Sequence, residues 1–506
     1  MVFDKQFVIS AVLDAQIPYD TFPPQLRVSI DTRTLEVGDV FVAFVGAHVD
    51  GHDYVALAIK RGAAGLIINQ KNSSVLNTID QKILKKLLVV LVPDTFVALC
   101  QLAAAWRSRF TCPVVAITGS VGKTTTRTMV SSILQLTGRP FVSTQGNLNS
   151  LIGLPISILR MRSHHTVAVF EVGISKRGDM ARAVEILRPT MAVITVVGHS
   201  HMEGLGSLND IAIEKREIFK FFKPESIGIV NGDQPVLANV GYTHPVVKFG
   251  SKTINQIQAR KIRVHDDCVD FTIKIYKEKY ALAMTNAHEG TIFNALAAAG
   301  VAHQLGIDSA TIVKGLSEAA TVDGRFQRLA LTVGKGILIN DCYNASPESL
   351  KAALVAMEHV KTDAHKIAII GDMLELGVDS PYWHKQIGRF LRKAPSISEI
   401  ILVGTLVKWA RTVMPPGIKV HQVATAHEAV DVFKKCATDR ELLVLVKGSH
   451  GVHLDIVVDA CTQKTVAAAL QEPVAAAEPI SFAAAKRDHD ETLLSAGSTR
   501  RRVRTT

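Results

Sequence analysis

Residues Val114-Val115-Ala116-Ile117-Thr118-Gly119-Ser120-Val121-Gly122-Lys123-Thr124-Thr125-Thr126 constrain this chain more than any other stretch. A β-branched run leads into a glycine-bracketed turn. Lys-Thr then opens an apolar-periodic segment to Leu136, which predicts strand, turn and helix in that order. The backbone N–H groups of Gly119 to Thr124 then gather at a helix N-terminus, where unpaired amides and the positive end of the helix dipole favour phosphate. Gly119, Ser120, Val121, Gly122, Lys123, Thr124 and Thr125 form the expected nucleotide cradle, with Lys123 reaching the β- and γ-phosphates and the Thr124 hydroxyl ligating Mg²⁺. The usual P-loop carries a further glycine five residues before Gly122, and Ile117 stands there instead. The plain alternative is a glycine turn that binds nothing. It does not account for Gly-Lys-Thr at a helix start.

A chain of 506 residues exceeds one core, so three domains are expected. With 47% hydrophobic and 20% charged residues, most of it is globular. The net charge of +11 suits polyphosphate substrates but, without a clustered basic face, does not predict a nucleic-acid partner. The cysteines Cys100, Cys112, Cys268, Cys342, Cys436 and Cys461 are scattered with no Cys-x-x-Cys, which argues against a disulfide framework or zinc site and for a reducing compartment. Cys100 and Cys461 read as core residues. Met1 to Lys5 lack the basic-then-apolar pattern of a signal peptide, and no apolar run reaches membrane-spanning length. A cytoplasmic monomer is the expectation.

The expected fold is α/β in three domains. Residues 1–92 read as a small unit with strands at Val40–Phe44, Ala63–Ile68 and Leu87–Val92 and a helix at Tyr54–Gly62. Asp31-Thr32-Arg33 and the turn Asp50 to Asp53 are its candidate ligand groups, although each is also ordinary turn chemistry. Residues 93–322 open with a helix capped by Asp94. Strands follow at 114–118, 166–172, 191–197 and 227–230, then a less regular strand-rich region from 245 to 285 and a helix from Asn294 to Leu305. Near-continuous apolar strands separated by helices predict a parallel sheet covered on both faces, with ligands beyond the carboxyl ends of the strands. Glu171, His199, His201, Asn231 and Asp233 stand just after strands and gain weight from that rule. Residues 323–465 repeat the pattern as a Rossmann-like unit, its first helix running from Pro347 to Val360. Residues 466–506 are alanine-rich, end in a basic cluster and read as a disordered tail.

Several segments together resemble the Mur ligase family. They are Thr118 to Thr126, Gly146-Asn147-Leu148-Asn149-Ser150-Leu151-Ile152-Gly153-Leu154-Pro155, Tyr343-Asn344-Ala345-Ser346-Pro347, Gly371-Asp372-Met373-Leu374-Glu375-Leu376-Gly377 and Lys447-Gly448-Ser449. The third and fourth resemble the branch that joins D-alanyl-D-alanine to UDP-N-acetylmuramoyl-tripeptide. The likeness runs from about residue 25 to 462. It implies an N-terminal UDP-sugar domain, a central ATPase domain and a C-terminal ligase domain. In this family a substrate carboxylate attacks the γ-phosphate to give an acyl phosphate, and an amine then displaces phosphate. Such chemistry needs cations and positioned donors more than a protein nucleophile.

By the same resemblance, Lys123, Lys215, His201 and Arg325 are the expected catalytic groups. Thr124, Glu171, His201 and Lys215 would serve two Mg²⁺ ions, with Lys215 at the position of the family's carbamylated lysine. Read without the family, Lys215 is one charge on an amphipathic helix. Asn294, Arg325 and Asp341 would complete the ATP site, while Asp31, Thr32, Arg33, Asn147, Asn149, Asn344 and Lys447 would face the substrates. The chain departs from the family pattern at three places. His199 stands where proline is usual, Gly290-Thr291 replaces His-Asn with a histidine displaced to His288, and Asn340-Asp341-Cys342 replaces Asp-Asp-Ser. Two rivals stay open: the sibling ligase that adds the third amino acid, and a nucleotide-binding protein that has lost catalysis.

Overall fold

The computed structural model describes residues 3–46, 49–437 and 440–462, so the tail expected at 466–506 lies outside the described residues. Three sheets follow one another along the chain, within residues 28–92, 114–285 and 327–447.

The first sheet is four parallel strands in sequence order, Val28–Ser29, Val40–Val42, Gly65–Asn69 and Leu88–Val92. The second strand ends two residues earlier than its apolar run suggests. Phe44 instead accepts the Gly51 N–H (2.7 Å) in a tight return. Gly51–Tyr54 then forms a 3-10 turn before the helix Val55–Lys60. As expected, Asp94 caps the next helix, Thr95–Arg107, accepting from the N–H groups of Phe96 and Val97. That helix packs on the central helices Gly153–Ile158 and Asp179–Leu187. Through it, Phe7 and Trp106 share one continuous core with Ala116, Phe170 and Ile194 of the central sheet.

The central sheet has nine strands, in the order 278–285, 268–275, 257–264, 246–250, 227–231, 191–194, 114–118, 167–171 and 141–143. Neighbouring strands pair in parallel except around 268–275, which runs antiparallel to both 257–264 and 278–285 and ends the sheet in a meander. The region that reads as irregular from sequence is therefore part of this sheet. Its alternating burial along Cys268–Ile275 shows why, since one face is solvated there and the continuous apolar run is lost. The strand Val114–Thr118 is buried at every residue and lies between Val167–Glu171 and Met191–Ile194. The chain winds one way from it and then the other, so its carboxyl end is the switch point of the sheet.

The C-terminal sheet runs 327–330, 335–340, 441–447, 365–371, 397–403, 419–423, parallel but for the first strand. It is cored on both faces by clusters of its own, around Leu354, Ile370 and Leu402 on one side and Val444, Phe433 and Val457 on the other. The alanine-rich helix begins at Glu289, five residues before the expected Asn294. His288 acts as its N-cap, the ring accepting the Gly290 N–H while Thr291 accepts the His288 N–H. Histidine is an uncommon cap, which hid this start from a residue-type reading.

Candidate active site

At the switch point, the loop 119–122 turns with left-handed glycines, Gly119 at φ +151° and Gly122 at φ +90°. A Cβ on Gly119 would stand 1.9 Å from Thr195 Oγ1, and one on Gly122 would stand 2.1 Å from Asn294 Oδ1. Neither position admits a side chain. The loop is pinned to the neighbouring strand end: Ser120 N–H donates to the Val196 carbonyl (2.7 Å), and the Ser120 hydroxyl donates to the Gly198 carbonyl (2.9 Å). Thr195 Oγ1 donates to the Val121 carbonyl (2.6 Å). The Ser120 side chain thus holds the loop in place, and backbone amides are left for phosphate.

The helix Lys123–Leu136 starts directly after Gly122. Lys123 Nζ donates back to the Gly119 carbonyl (2.8 Å). Burial lowers its pKa to about 8; Glu171 pulls it up and Arg325 pushes it further down. Glu171 is fully buried at the end of its strand and is the hub of the polar cluster. Its Oε2 accepts from Thr124 Oγ1 (3.1 Å) and Asn149 Nδ2 (3.2 Å), and Arg127 Nε lies 2.6 Å from Oε1. Asn149, expected to face substrate, therefore shares Glu171 Oε2 with Thr124. Arg127 was not anticipated; it lies on the same helix face as Thr124, one turn away, which was the available signal.

Lys215 is buried near Lys123, and its pKa is pushed well below the usual lysine value. Burial is the main cause and Lys123 adds to it; Glu214 alone opposes. Glu214 meanwhile caps the helix Asp179–Leu187 through the N–H groups of Gly178 and Met180. His201 sits in the left-handed region (φ +57°) and faces Glu375 of the C-terminal unit. Among the described residues no hydrogen bond or ion pair joins it to Glu171 or Lys215.

A cleft of about 250 Å³ opens beside the loop. Gly122, Thr125, Asn294, Thr291 and His288 line it from the central domain, and Arg325, Asp341, Glu348 and Lys447 from the C-terminal one. The Arg325 guanidinium carbon lies over the Tyr343 ring (4.2 Å), and its buried Nε lacks a hydrogen-bond partner among the described residues. An anion in the cleft would satisfy that donor. Asp341 and Lys447 form a pair (2.7 Å), and Lys447 also donates to the Asn344 carbonyl (3.0 Å). Lys447 is buried and engaged by protein groups.

His199, which stands where the family pattern has proline, spans the domains: its Nδ1 is 2.5 Å from Glu348 Oε1, and its ring packs on Trp383 (4.3 Å). No residue pattern pairs positions so far apart in sequence. In the first domain, Asp31 and Arg33 pair with each other (2.7 Å), and Arg33's hydrogen bond holds the Asp31 carboxyl below its ordinary pKa. Thr32 is buried, and its carbonyl accepts from Arg61 (2.6 Å). Asp50 caps its own turn and meets His52 Nδ1 at 2.6 Å. Asn147 and Asn344 are exposed.

The three units match three consecutive family descriptions: Mur ligase family, catalytic domain, over residues 27–107; Mur ligase middle domain over 117–302; and Mur ligase, glutamate ligase domain, over 324–450. The UDP-N-acetylmuramoyl-tripeptide–D-alanyl-D-alanine ligase of Bacillus subtilis is 33% identical over 433 residues, covering 85% of this chain and 92% of the relative. The chain belongs to the Mur ligase family. The Escherichia coli protein of the same name is 31% identical to this Mur ligase, over 86% of the chain and 93% of the relative. Among solved structures, MurF from Acinetobacter baumannii superposes with a TM-score of 0.77 at 28% identity, over 90% of this chain and 98% of that one. MurF from Thermotoga maritima in complex with ADP gives 0.72 at 26% identity, over 86% and 97%.

Proposed function

We propose that this Mur ligase joins D-alanyl-D-alanine to UDP-N-acetylmuramoyl-tripeptide at the expense of ATP, as a cytoplasmic monomer in peptidoglycan precursor synthesis. The observation that carries the nucleotide part is the cleft lined by Gly122, Thr125 and Arg325, in which a glycine-cradled phosphate site faces a guanidinium nitrogen with no hydrogen-bond partner among the described residues. The named relatives carry the choice of substrates, and they favour this reading over the sibling ligase. We place the UDP-sugar peptide at residues 1–92, ATP at 93–322 and the dipeptide at 323–465. Among the described residues no helix is long and apolar enough to cross a membrane.

The buried carboxylate of Glu171, with the Thr124 hydroxyl and the Asn149 amide against it, suits a hard cation. Thr124 and Glu171 would hold Mg²⁺, which supplies charge neutralisation to the phosphates when bound. Lys215 fits carbamylation, because only a neutral amine adds to CO₂ and burial favours the neutral form. As a carbamate it would turn from cation to anion. His201 would join this set once released from Glu375.

The chemistry follows from these placements. Lys123 and the loop amides hold the β- and γ-phosphates, and Arg325 meets their charge from across the cleft. The tripeptide carboxylate bonds to the γ-phosphorus as the bridging P–O bond to ADP breaks. The dipeptide amine then bonds to the acyl carbon, and phosphate leaves. Asn344, exposed beside the helix Pro347–His359, is available to the dipeptide, and Lys447 sets the Asp341–Asn344 turn. A cleft closed from both domains keeps water from the acyl phosphate.

The departures from the family pattern are absorbed structurally. His288 caps the helix, Asn340 bonds Asp323 and Gln327, and Cys342 is core. They do not favour a protein without catalysis. Incubating the enzyme with ATP, Mg²⁺, UDP-muramoyl-tripeptide and D-Ala-D-Ala should give phosphate and a product whose mass equals the two joined minus water. Phosphate release with a diamino acid and the dipeptide precursor instead would transfer the chain to the sibling activity.

A further inference from the structure

At the amino end of the C-terminal sheet, opposite to the ends that carry Asp372 and Lys447, lies a cluster that the ligase chemistry does not use. Glu399 is buried at 2% exposure on the strand 397–403. Strand register places Lys419 directly across from it and His421 two residues further on, so all three share a face. His365 joins that face from the other side, because Ile367 is the partner of Glu399 there. The helix Ala426–Cys436 covers this face and ends with Cys436 over the cluster. His421 Nε2 is 2.8 Å from Glu399 Oε1 and 3.7 Å from Cys436 Sγ. His365 Nε2 holds the other carboxylate oxygen at 2.9 Å, and its Nδ1 is 3.1 Å from Ser398 Oγ.

We propose that Glu399, His421 and Cys436 form a binding site for a divalent transition-metal ion of the zinc class, with His365 orienting the carboxylate. One ligand atom from each of the three lies within 4.8 Å of the others. Zn–S near 2.3 Å and Zn–N near 2.05 Å at a tetrahedral angle put sulfur and nitrogen about 3.6 Å apart. The observed 3.7 Å already matches that edge. A buried carboxylate paired with lysine needs neither a thiol nor two imidazoles, whereas a borderline-soft ion uses all of them. A thiol also separates this site from Mg²⁺ or Ca²⁺ chemistry, which prefers oxygen. His365 on the far carboxylate oxygen is the outer support such sites carry.

Lys419 at present occupies the cation's place, its Nζ 2.9 Å from Glu399 Oε1. Its side chain is 65% exposed and can swing into solvent. On binding, the ion takes the place of the lysine charge and of the thiol proton, which passes to solvent. The site would tie the sheet's edge strand to the covering helix.

The test titrates the full-length protein, stripped of metal, with Co²⁺ alone and follows the thiolate-to-cobalt charge-transfer absorption. Wild type should develop one equivalent of the band. Cys436→Ser should lose it, and His365→Ala should weaken binding about 10–100-fold. Lys419→Met, a change at an exposed side chain, should tighten binding by removing the competing cation. Absence of the band in wild type, its persistence in Cys436→Ser, or unchanged affinity in Lys419→Met would each overturn the proposal.

Discussion

Lys123 can be tested through its proton. Enclosure lowers its pKa to about 8 in the nucleotide-free protein, against an ordinary value of 10.5. Only the ammonium form attracts phosphate, so the competent fraction is about one half at pH 8 and about one eleventh at pH 9. The apparent Kd for a non-hydrolysable ATP analogue at constant excess Mg²⁺ should therefore rise about 2-fold by pH 8 and about 11-fold by pH 9. Binding should take up about half a proton at pH 8 and nearly one at pH 9. Calorimetry in buffers of different ionisation enthalpy reads both quantities. Lys123→Arg keeps its charge throughout and should flatten the profile. The nucleotide-free fold has the opposite sense. Its unfolded chain holds this proton to higher pH, so the group's contribution to stability rises from about pH 8 towards 10.5. A wild-type Kd that stays level from pH 7.5 to 9.5, or proton uptake that survives in Lys123→Arg, would refute the assignment.

Four further outcomes are expected. Gly119→Ala should abolish nucleotide binding in equilibrium dialysis while circular dichroism stays native, because its Cβ would overlap Thr195 Oγ1. Lys215→Ala should be inactive and regain part of its turnover with a small added carboxylate; full activity without addition would remove Lys215 from the site. Asp372→Ala should destabilise the C-terminal unit by about 2–4 kcal/mol in urea unfolding, since the carboxylate accepts three backbone N–H groups, those of Thr405, Leu406 and Val407. Glu375→Gln should release His201 and tighten Mg²⁺-dependent nucleotide binding; weaker binding would place the His201–Glu375 contact within the working arrangement.

The phosphate loop and most strands were legible because each is set by local chemistry: an apolar run, a glycine pair, a lysine at a helix start. The same locality explains the limits. The helix start at Glu289 escaped because His288 does work that Ser or Asp usually does. The strands between 257 and 285 lost their signal because an alternating pattern replaced the continuous one. Arg127 was within reach through helical spacing to Thr124. His199 and Glu348 were not, since their pairing depends on how one domain settles on another. Asp31 with Arg33 and Asp50 with His52 satisfy the turn-chemistry reading on contacts alone.

The distribution of cores bears on how the cleft works. The first two domains share one apolar cluster, from Phe7 and Trp106 to Ile194, so separating them would expose buried hydrocarbon. The C-terminal unit keeps its own clusters on both faces; apart from Met202, which packs on both cores, and Phe326 against His288, it meets the central domain largely through polar pairs: His199 with Glu348, His201 with Glu375, and Lys361 N–H with Asp266 at 2.7 Å. Polar contacts can exchange for water at little net cost, whereas a shared core cannot. Relative motion would therefore cost least at the boundary that carries Arg325. On the proposed reading, Arg325 would then reach the phosphates with the C-terminal unit, while Lys123 and Glu171 stay with the central one. A nucleotide filling the cleft would bind both sides at once and so tie domain closure to the presence of ATP.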